Sequence, residues 1–415
     1  MTIVRLGFVL MLLGCARLGA DAGAMDAFPP QTSPLPEWQV RGGLSQFHAK
    51  ALTGGTLRVA FVGGSITAAA GWRVRTGEFL QQRYPAAKIE EIFAAVPGTG
   101  SPLGAARFQR DVLTQEPDLV LVEFAVNDGD EDPGRVERAM EGIVRQLRRV
   151  RPGADLCFVY TISKSMLADY SAGRLNPSAT AMERVAAHYG IPSVTFGVEL
   201  VRRLQAGTWV FQAGKKLGPR DAEGRMIFSN DGVHPLAAGQ ALYADALARA
   251  WPELVAPSGA RSSDLAAPLR ADNWEAAGMV PILATERSGA WRKLPADDAR
   301  VGSQPGRMAP PTWWTDQPGS AVEATVTGTA IGIYGFKSEK SGKLLVTVDD
   351  LRSVEMTLHD SFAKAGHYRL KVWFYPQELA PGLHRVRVEL AAKESGREAF
   401  LSGILFSGER APEAR

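Results

Sequence analysis

Cysteine is nearly absent from this chain of 415 residues, which contains only Cys15 and Cys157. An excess of charge of one sign is missing too, since 47 basic residues face 44 acidic ones and the basic residues do not gather into runs. We therefore expect no nucleic-acid partner. Beyond the N-terminus, no stretch is long and apolar enough to cross a bilayer. The length suggests two domains.

The N-terminal residues are typical of a secretory signal. One arginine precedes the apolar stretch "GFVLMLLG", and "ARLGADAGA" supplies the small residues of a cleavage site. We predict a signal peptide over residues 1–24 that exports the chain to the periplasm or the extracellular space. The alternative is a lipoprotein anchored to a membrane through Cys15, because "LLGC" resembles a bacterial lipoprotein box, but Leu13 favours simple secretion. Removal of the signal leaves Cys157 alone, and we predict a buried free thiol there.

Two patterns divide the rest of the chain. From 56 to 255, apolar runs such as "LRVAFV", "DLVLVEFAV" and "DLCFVYTI" alternate with helical segments, which predicts an α/β domain with a parallel sheet covered on both faces. From 286 to 408, strands of period two follow one another without a helix, which predicts an all-β sandwich of the jelly-roll type. Three shorter segments are predicted as an N-terminal extension, a linker and a disordered tail, at residues 25–55, 256–285 and 409–415.

The strand "LRVAFV" runs directly into "GGSIT". Gly63 and Gly64 tolerate the backbone angles of a tight strand-to-helix turn, which would leave Ser65 at the carboxyl end of the strand. Ligands bind at this edge of parallel sheets. The position suits a nucleophile or an anion-binding site, and the turn alone does not distinguish the two. No lysine follows the glycines, as a phosphate-binding loop would require.

Three further segments, "VPGTGS", "EFAVND" and "NDGVHP", follow at other strand ends. In this order the four segments resemble the SGNH (GDSL-like) hydrolases, whose name lists a nucleophilic Ser, an oxyanion Gly, an oxyanion Asn and a catalytic His. The resemblance covers about Leu57 to Trp251 and implies a three-layer α/β/α fold. The chain departs from the pattern with Gly64, where many members have Asp, and Ala125, where many have Gly.

The resemblance implies a role for each matching residue. Ser65 would be the nucleophile, His234 its base and Asp231 the residue that orients the base. The oxyanion hole would consist of the backbone N–H groups of Ser65 and Gly98 and the side-chain amide of Asn127. The spacing is consistent with this, because one tight turn can bring the Asp231 carboxylate to an imidazole nitrogen three residues later. No histidine or cysteine spacing indicates a metal site, and the resemblance implies no cofactor.

We therefore expect an exported serine esterase that removes short acyl groups, acetyl above all, from carbohydrate through an acyl-serine intermediate. Export and the appended sandwich favour a glycan substrate, by analogy with other glycan-active enzymes. One alternative is a lipase, arylesterase or thioesterase acting on small lipophilic esters, which extended apolar lid segments would favour, and we find none. The other is a non-catalytic glycan-binding protein, which loss of Ser65 or His234 would indicate.

Two smaller expectations concern neighbouring residues. Asp128, in the acidic run after Asn127, is expected to brace the oxyanion loop. The sandwich either anchors the enzyme on a polysaccharide, with Trp313 or Trp314 stacking on a sugar, or covers an apolar face of the first domain. In the first case a chain that ends near Pro257 should still fold and cleave small esters. The glycan and the oligomeric state stay open.

Overall fold

A computed structural model of the protein describes residues 34–214, 218–256, 265–295, 298, 300, 311–358 and 368–408. The expected signal peptide, Cys15 and the expected tail at 409–415 lie outside the described residues. Within the part of the chain that is described, no helix has both the length and the apolar character to span a membrane.

The first domain is built on a six-stranded sheet. Its strands are β1 (Trp38–Gln39), β2 (Gly55–Gly63), β3 (Ala87–Ala95), β4 (Leu119–Glu123), β5 (Asp155–Tyr160) and β6 (Ser193–Thr195). The order is β1-β6-β5-β4-β2-β3, in which β2 to β6 are parallel and β1 is antiparallel to β6. The predicted parallel sheet is confirmed. Every residue of β4 and β5 is buried, including Cys157, which is a free thiol as predicted.

Helices cover both faces of this sheet. They are α1 (Ser45–Thr53), α2 (Ser65–Ala68), α3 (Trp72–Arg83), α4 (Ser101–Asp111), α5 (Pro133–Val150), α6 (Leu167–Ser171), α7 (Pro177–Tyr189), α8 (Gly197–Gln205) and α9 (Ala237–Leu254). Helices α1, α3 and α9 lie together on one face, whereas α4, α5 and α7 pack together on the other. Two short strands, β7 (Trp209–Val210) and β8 (Met226–Ile227), pair with each other outside the main sheet.

The segment expected as an N-terminal extension contributes to the first domain. Strand β1 pairs with the edge strand β6, and α1 buries Phe47 against the sheet. The Phe47 ring meets the Trp251 ring edge to face, with the ring centroids 6.0 Å apart. The sequence pattern does not predict α1, because this helix has only nine residues and no side chain caps its N-terminus.

The C-terminal region is a sandwich of two antiparallel sheets. Its strands are β9 (Gly278–Pro281), β10 (Glu286–Ser288), β11 (Arg292–Lys293), β12 (Trp313–Thr315), β13 (Ala321–Thr327), β14 (Ile331–Lys337), β15 (Lys343–Val348), β16 (Val354–Thr357), β17 (Arg369–Phe374), β18 (Leu383–Leu390) and β19 (Ala399–Phe406). One sheet has the order β10-β13-β18-β15-β16, and the other β11-β12-β19-β14-β17, with β9 also paired to β19. The predicted all-β sandwich is confirmed.

The segment expected as a linker, 256–285, is ordered over most of its described part. The backbone N–H groups of Leu269 and Arg270 donate to the buried Glu141 carboxylate of α5, at 2.6 and 2.9 Å. The Trp274 side chain is only 2% exposed and belongs to the core of the first domain. These contacts use backbone groups and a single tryptophan, so the composition of the segment does not reveal them.

The outer face of the β19 sheet packs on the first domain. Three apolar residues at and near α4 are buried there, namely Val96, Leu103 and Ala106. Their partners on the sandwich include Tyr334, Phe336, Phe400 and Leu405. Charged groups border this contact, since the guanidinium of Arg138 in α5 pairs with Glu378. The structure thus favours the second role considered for the sandwich, covering an apolar face of the first domain.

The geometry around the two adjacent tryptophans argues against sugar stacking. The Arg287 guanidinium lies over the Trp313 ring at 4.3 Å from its centroid. Arg292 and Arg300 lie over the Trp314 ring at 4.7 and 4.3 Å. One cation therefore covers a face of Trp313 and two cations lie over Trp314, which leaves less of these rings for a sugar.

Candidate active site

Ser65 is the first residue of α2, directly after the turn that ends β2. The two positions before it require glycine because other atoms approach them closely. Unusual backbone angles are not the reason, since Gly64 has a φ of −95°. A Cβ atom at Gly63 would lie 2.7 Å from the carbonyl oxygen of Glu123, and one at Gly64 would lie 1.8 Å from Oδ1 of Asn127. The predicted turn is present, but close approach and not permissive backbone angles explains its glycines.

His234 and Asp231 lie in the loop between β8 and α9. Gly232 between them has a φ of +83°, a left-handed conformation that lets the loop turn back on itself. Nδ1 of His234 lies 2.7 Å from Oδ2 of Asp231, and Nε2 lies 2.8 Å from Oγ of Ser65. A continuous hydrogen-bonded chain therefore links a hydroxyl, an imidazole and a carboxylate from two distant parts of the sequence.

The Asp231 carboxylate is strongly held in its charged form. Its Oδ1 accepts hydrogen bonds from the backbone N–H groups of Val233 and His234 and from the Ser229 hydroxyl, at 2.8–3.0 Å. Partial burial opposes ionisation, but these bonds and the bond to the imidazole hold the pKa of Asp231 well below its usual range. The side chains of Asp231 and His234 are 56% and 50% exposed, so the site is open to solvent.

Two loops from neighbouring strand ends border Ser65. Asn127 follows β4, and its amide group lies against the Cα atom of Gly64. Gly98 lies in the loop between β3 and α4, is exposed and has a φ of +71°. This loop begins beside the serine turn, because the N–H of Val96 donates to the Gly63 carbonyl at 2.9 Å.

Asp128 connects these two loops. Both of its carboxylate oxygens accept the backbone N–H of Ser101, at 3.0 and 3.1 Å, so it braces the end of the Gly98 loop as the sequence argument expected. Gly100 makes this approach feasible, since a Cβ there would lie 1.8 Å from Oδ1 of Asp128. Burial raises the pKa of Asp128 from 3.8 to about 7, and the nearby carboxylates of Glu131 and Glu123 act in the same direction.

We expect Asp128→Asn to change how stability depends on pH. The folded protein keeps the Asp128 proton up to about pH 7, whereas the unfolded chain loses it near pH 4. Between these values the folded state binds more protons, so this group lowers the free energy of unfolding by up to ~1.4 kcal/mol for each pH unit of increase. The asparagine side chain does not titrate, so the variant lacks this loss of stability with rising pH. Its thermal midpoint relative to wild type should rise between about pH 5 and pH 7, and a difference that stays constant would contradict the assignment.

One group of residues beneath the serine was not predicted from the sequence. Glu123, the last residue of β4, has no solvent exposure, and its carboxylate accepts the hydroxyls of Thr67 and Thr161 at 2.8 and 2.6 Å. A signal was present, because a glutamate interrupts the apolar run "DLVLVEFAV". Among the described residues, no cluster of three or more histidine, cysteine, aspartate or glutamate side chains could hold a metal ion.

Comparison with known proteins finds a family model that matches most of the first domain. Residues 61–242 match the family model of GDSL-like lipases/acylhydrolases. No curated protein matches the chain. One similar solved structure is that of a two-domain esterase active on acetylated mannans, co-crystallized with mannopentaose. The two chains are 23% identical, the match covers 89% of this chain and 96% of the other, and the TM-score is 0.69. A second structure, of a two-domain esterase active on acetylated mannans, is 22% identical over 89% and 97% of the two chains, with the same TM-score. The likeness extends across both domains of the fold.

Proposed function

We propose that the protein is an exported serine esterase that removes acetyl groups from carbohydrate. The match of residues 61–242 to the family model of GDSL-like lipases/acylhydrolases supports the proposal. The observation that carries the proposal is the hydrogen-bonded chain from Ser65 through His234 to Asp231, with distances of 2.8 and 2.7 Å. Export through residues 1–24 is part of the proposal, and a membrane contact would follow only from lipidation of Cys15.

Acylation uses the three groups of this chain in turn. Oγ of Ser65 attacks the ester carbonyl carbon while Nε2 of His234 takes the hydroxyl proton. The Asp231 carboxylate accepts a hydrogen bond from Nδ1–H of His234, which fixes the tautomer and stabilises the imidazolium. His234 then gives its proton to the leaving sugar oxygen. In the second half-reaction His234 deprotonates a water molecule, which attacks the acyl-serine. The bond from the acyl carbon to Oγ of Ser65 then breaks, His234 returns the proton to Oγ, and acetate leaves.

The negative charge on the carbonyl oxygen needs hydrogen-bond donors in place before the reaction. We propose the backbone N–H groups of Ser65 and Gly98 and the side-chain amide of Asn127 for this purpose. The contact between the Asn127 amide and Gly64 supports the assignment, because it keeps the amide beside the nucleophile.

We expect Asn127→Ala to lower kcat by roughly two to three orders of magnitude with little change in KM, as for the loss of one donor that acts in the transition state. Steady-state kinetics on a small acetyl ester measure both constants. Asn176→Ala offers a matched control, since this buried asparagine precedes α7, donates its amide to the Ser178 hydroxyl at 2.7 Å and lies outside the proposed machinery. A kcat within a few-fold of wild type would make Asn127 a structural residue.

Two observations support acetylated carbohydrate over lipophilic esters. The Asp231 and His234 side chains are half exposed, which suits a bulky hydrophilic substrate better than a long acyl chain that must leave water. The similar two-domain structures belong to an esterase active on acetylated mannans. A series of chromogenic esters from acetyl to octanoyl tests the acyl preference. The proposal requires kcat/KM to fall as the chain lengthens, and a maximum at octanoyl would favour the lipase alternative.

A further inference from the structure

A buried carboxylate lies directly beneath the proposed nucleophile, and no step of the proposed reaction uses it. Oε2 of Glu123 accepts the Thr67 hydroxyl at 2.8 Å, and Oε1 accepts the Thr161 hydroxyl at 2.6 Å. The backbone N–H of Gly64 is a third donor to this carboxylate. Three donors from two separate segments, the serine turn and the residue after β5, therefore converge on one side chain.

Such a group is costly to keep in the core. Burial raises the pKa of Glu123, against the opposing effect of its hydrogen bonds, because a charge without water is unfavourable. An amide side chain of similar size would avoid the cost of burying a charge, so the carboxylate is poor evidence for stability alone. A requirement of the neighbouring site explains its presence better.

Two of the three donors flank Ser65. Gly64 precedes it and Thr67 follows it two residues later, within the turn and the first residues of α2. Thr67 has no solvent exposure, so its side chain has little freedom once bound to Glu123. The carboxylate thus holds the serine turn from below on both sides.

The third donor connects to the loop that carries the base. Thr161 follows β5, and three residues later the N–H of Lys164 donates to the carbonyl oxygen of Gly232 at 2.8 Å. Gly232 lies between Asp231 and His234. A short path of hydrogen bonds and backbone therefore joins Glu123 to the imidazole.

We propose that Glu123 is a positioning residue that sets the separation between the Ser65 hydroxyl and the His234 imidazole. The inference rests on the proposed function, since it concerns the same serine and histidine. Loss of this support should cost about 10–100-fold in kcat, because a displacement of the order of an ångström is enough for such a loss.

The test is Glu123→Gln, which keeps the size of the side chain but can no longer accept three donors. A fluorophosphonate that labels active serines separates positioning from folding. We expect the labelled fraction at completion to equal that of wild type. The rate constant of labelling and kcat should both fall about 10–100-fold, whereas KM should stay within about three-fold of wild type. Tyr170→Phe is the matched control, since the Tyr170 hydroxyl is buried in the same region and has no hydrogen-bond partner among the described residues. It should label at the wild-type rate.

A smaller labelled fraction that reacts at the wild-type rate would overturn the inference, because it would make Glu123 a residue of the fold only. If Glu123→Gln does not fold, Thr161→Val carries the test, since it removes one donor and keeps the shape of the side chain. A wild-type labelling rate in this variant would likewise overturn the inference. Failure of the wild-type protein itself to label would overturn the proposed function as well.

Discussion

Ser65→Ala and His234→Ala are each expected to lower ester hydrolysis by roughly 10⁴–10⁶-fold while leaving the fold intact. Both side chains lie at the edge of the sheet, where His234 is half exposed, so their removal opens no large cavity in the core. The double variant should be no slower than either single variant, because the two residues act as one unit.

Kinetics on a small acetyl ester and thermal unfolding of the same samples measure these effects. Equal thermal midpoints in wild type and variants would show that the loss arises from chemistry. Turnover close to wild type in purified Ser65→Ala would exclude the acyl-serine mechanism. It would also give weight to the alternative of a glycan-binding protein without catalytic activity.

The second large effect concerns the sandwich. A chain that ends near Pro257 is expected to be insoluble or inactive even on small esters, which reverses the expectation formed from the sequence. Truncation exposes Val96 and Leu103, and it removes Trp274 from the core and the two N–H donors from the buried Glu141 carboxylate. Exposing a leucine costs about 1.5–3 kcal/mol, and stripping donors from a buried acceptor costs about 1–3 kcal/mol. Together these losses are comparable with the whole stability of a typical domain, about 5–15 kcal/mol.

A chain that ends after Ala277 provides the matched comparison. It keeps Trp274 and the donors to Glu141 and loses only the sandwich, so it should be more soluble than the shorter chain. Its activity should still fall, because α4 then loses its apolar cover and the Gly98 loop leads directly into α4. If the chain that ends near Pro257 melted like the full-length protein and cleaved small esters at the full rate, the sandwich would have no structural role in the first domain.

The sequence predicts the architecture better than it predicts contacts between its parts. Uninterrupted apolar strands such as β4 and β5 predict a parallel sheet that is covered on both faces. The alternation of buried and less buried residues in β15 and β18 predicts the strands of a sandwich equally well. The helix α1, by contrast, is too short and too weakly capped to be predicted from the sequence. The sequence also gives no sign that the segment around Trp274 packs on α5, because composition does not report backbone hydrogen bonds.

The candidate site shows the same division. Segments at strand ends indicate Ser65 and His234 because residues that lie far apart in sequence meet at one edge of a parallel sheet. Glu123 interrupts an apolar run, which marks it as unusual, but its role depends on three donors that only the folded chain brings together. The role of the glycines before Ser65 likewise depends on the close approach of Asn127, which only the folded chain brings about.

The most direct test of the account is release of acetate from acetylated polysaccharides, with acetylated mannan among them, by the full-length protein and by Ser65→Ala. We expect the wild-type protein to release acetate from at least one of these polymers and the variant to release none above the uncatalysed rate. Equal release by the two proteins would contradict the serine mechanism. No release from any acetylated polymer, by a wild-type protein that still cleaves longer lipophilic esters, would contradict the carbohydrate substrate.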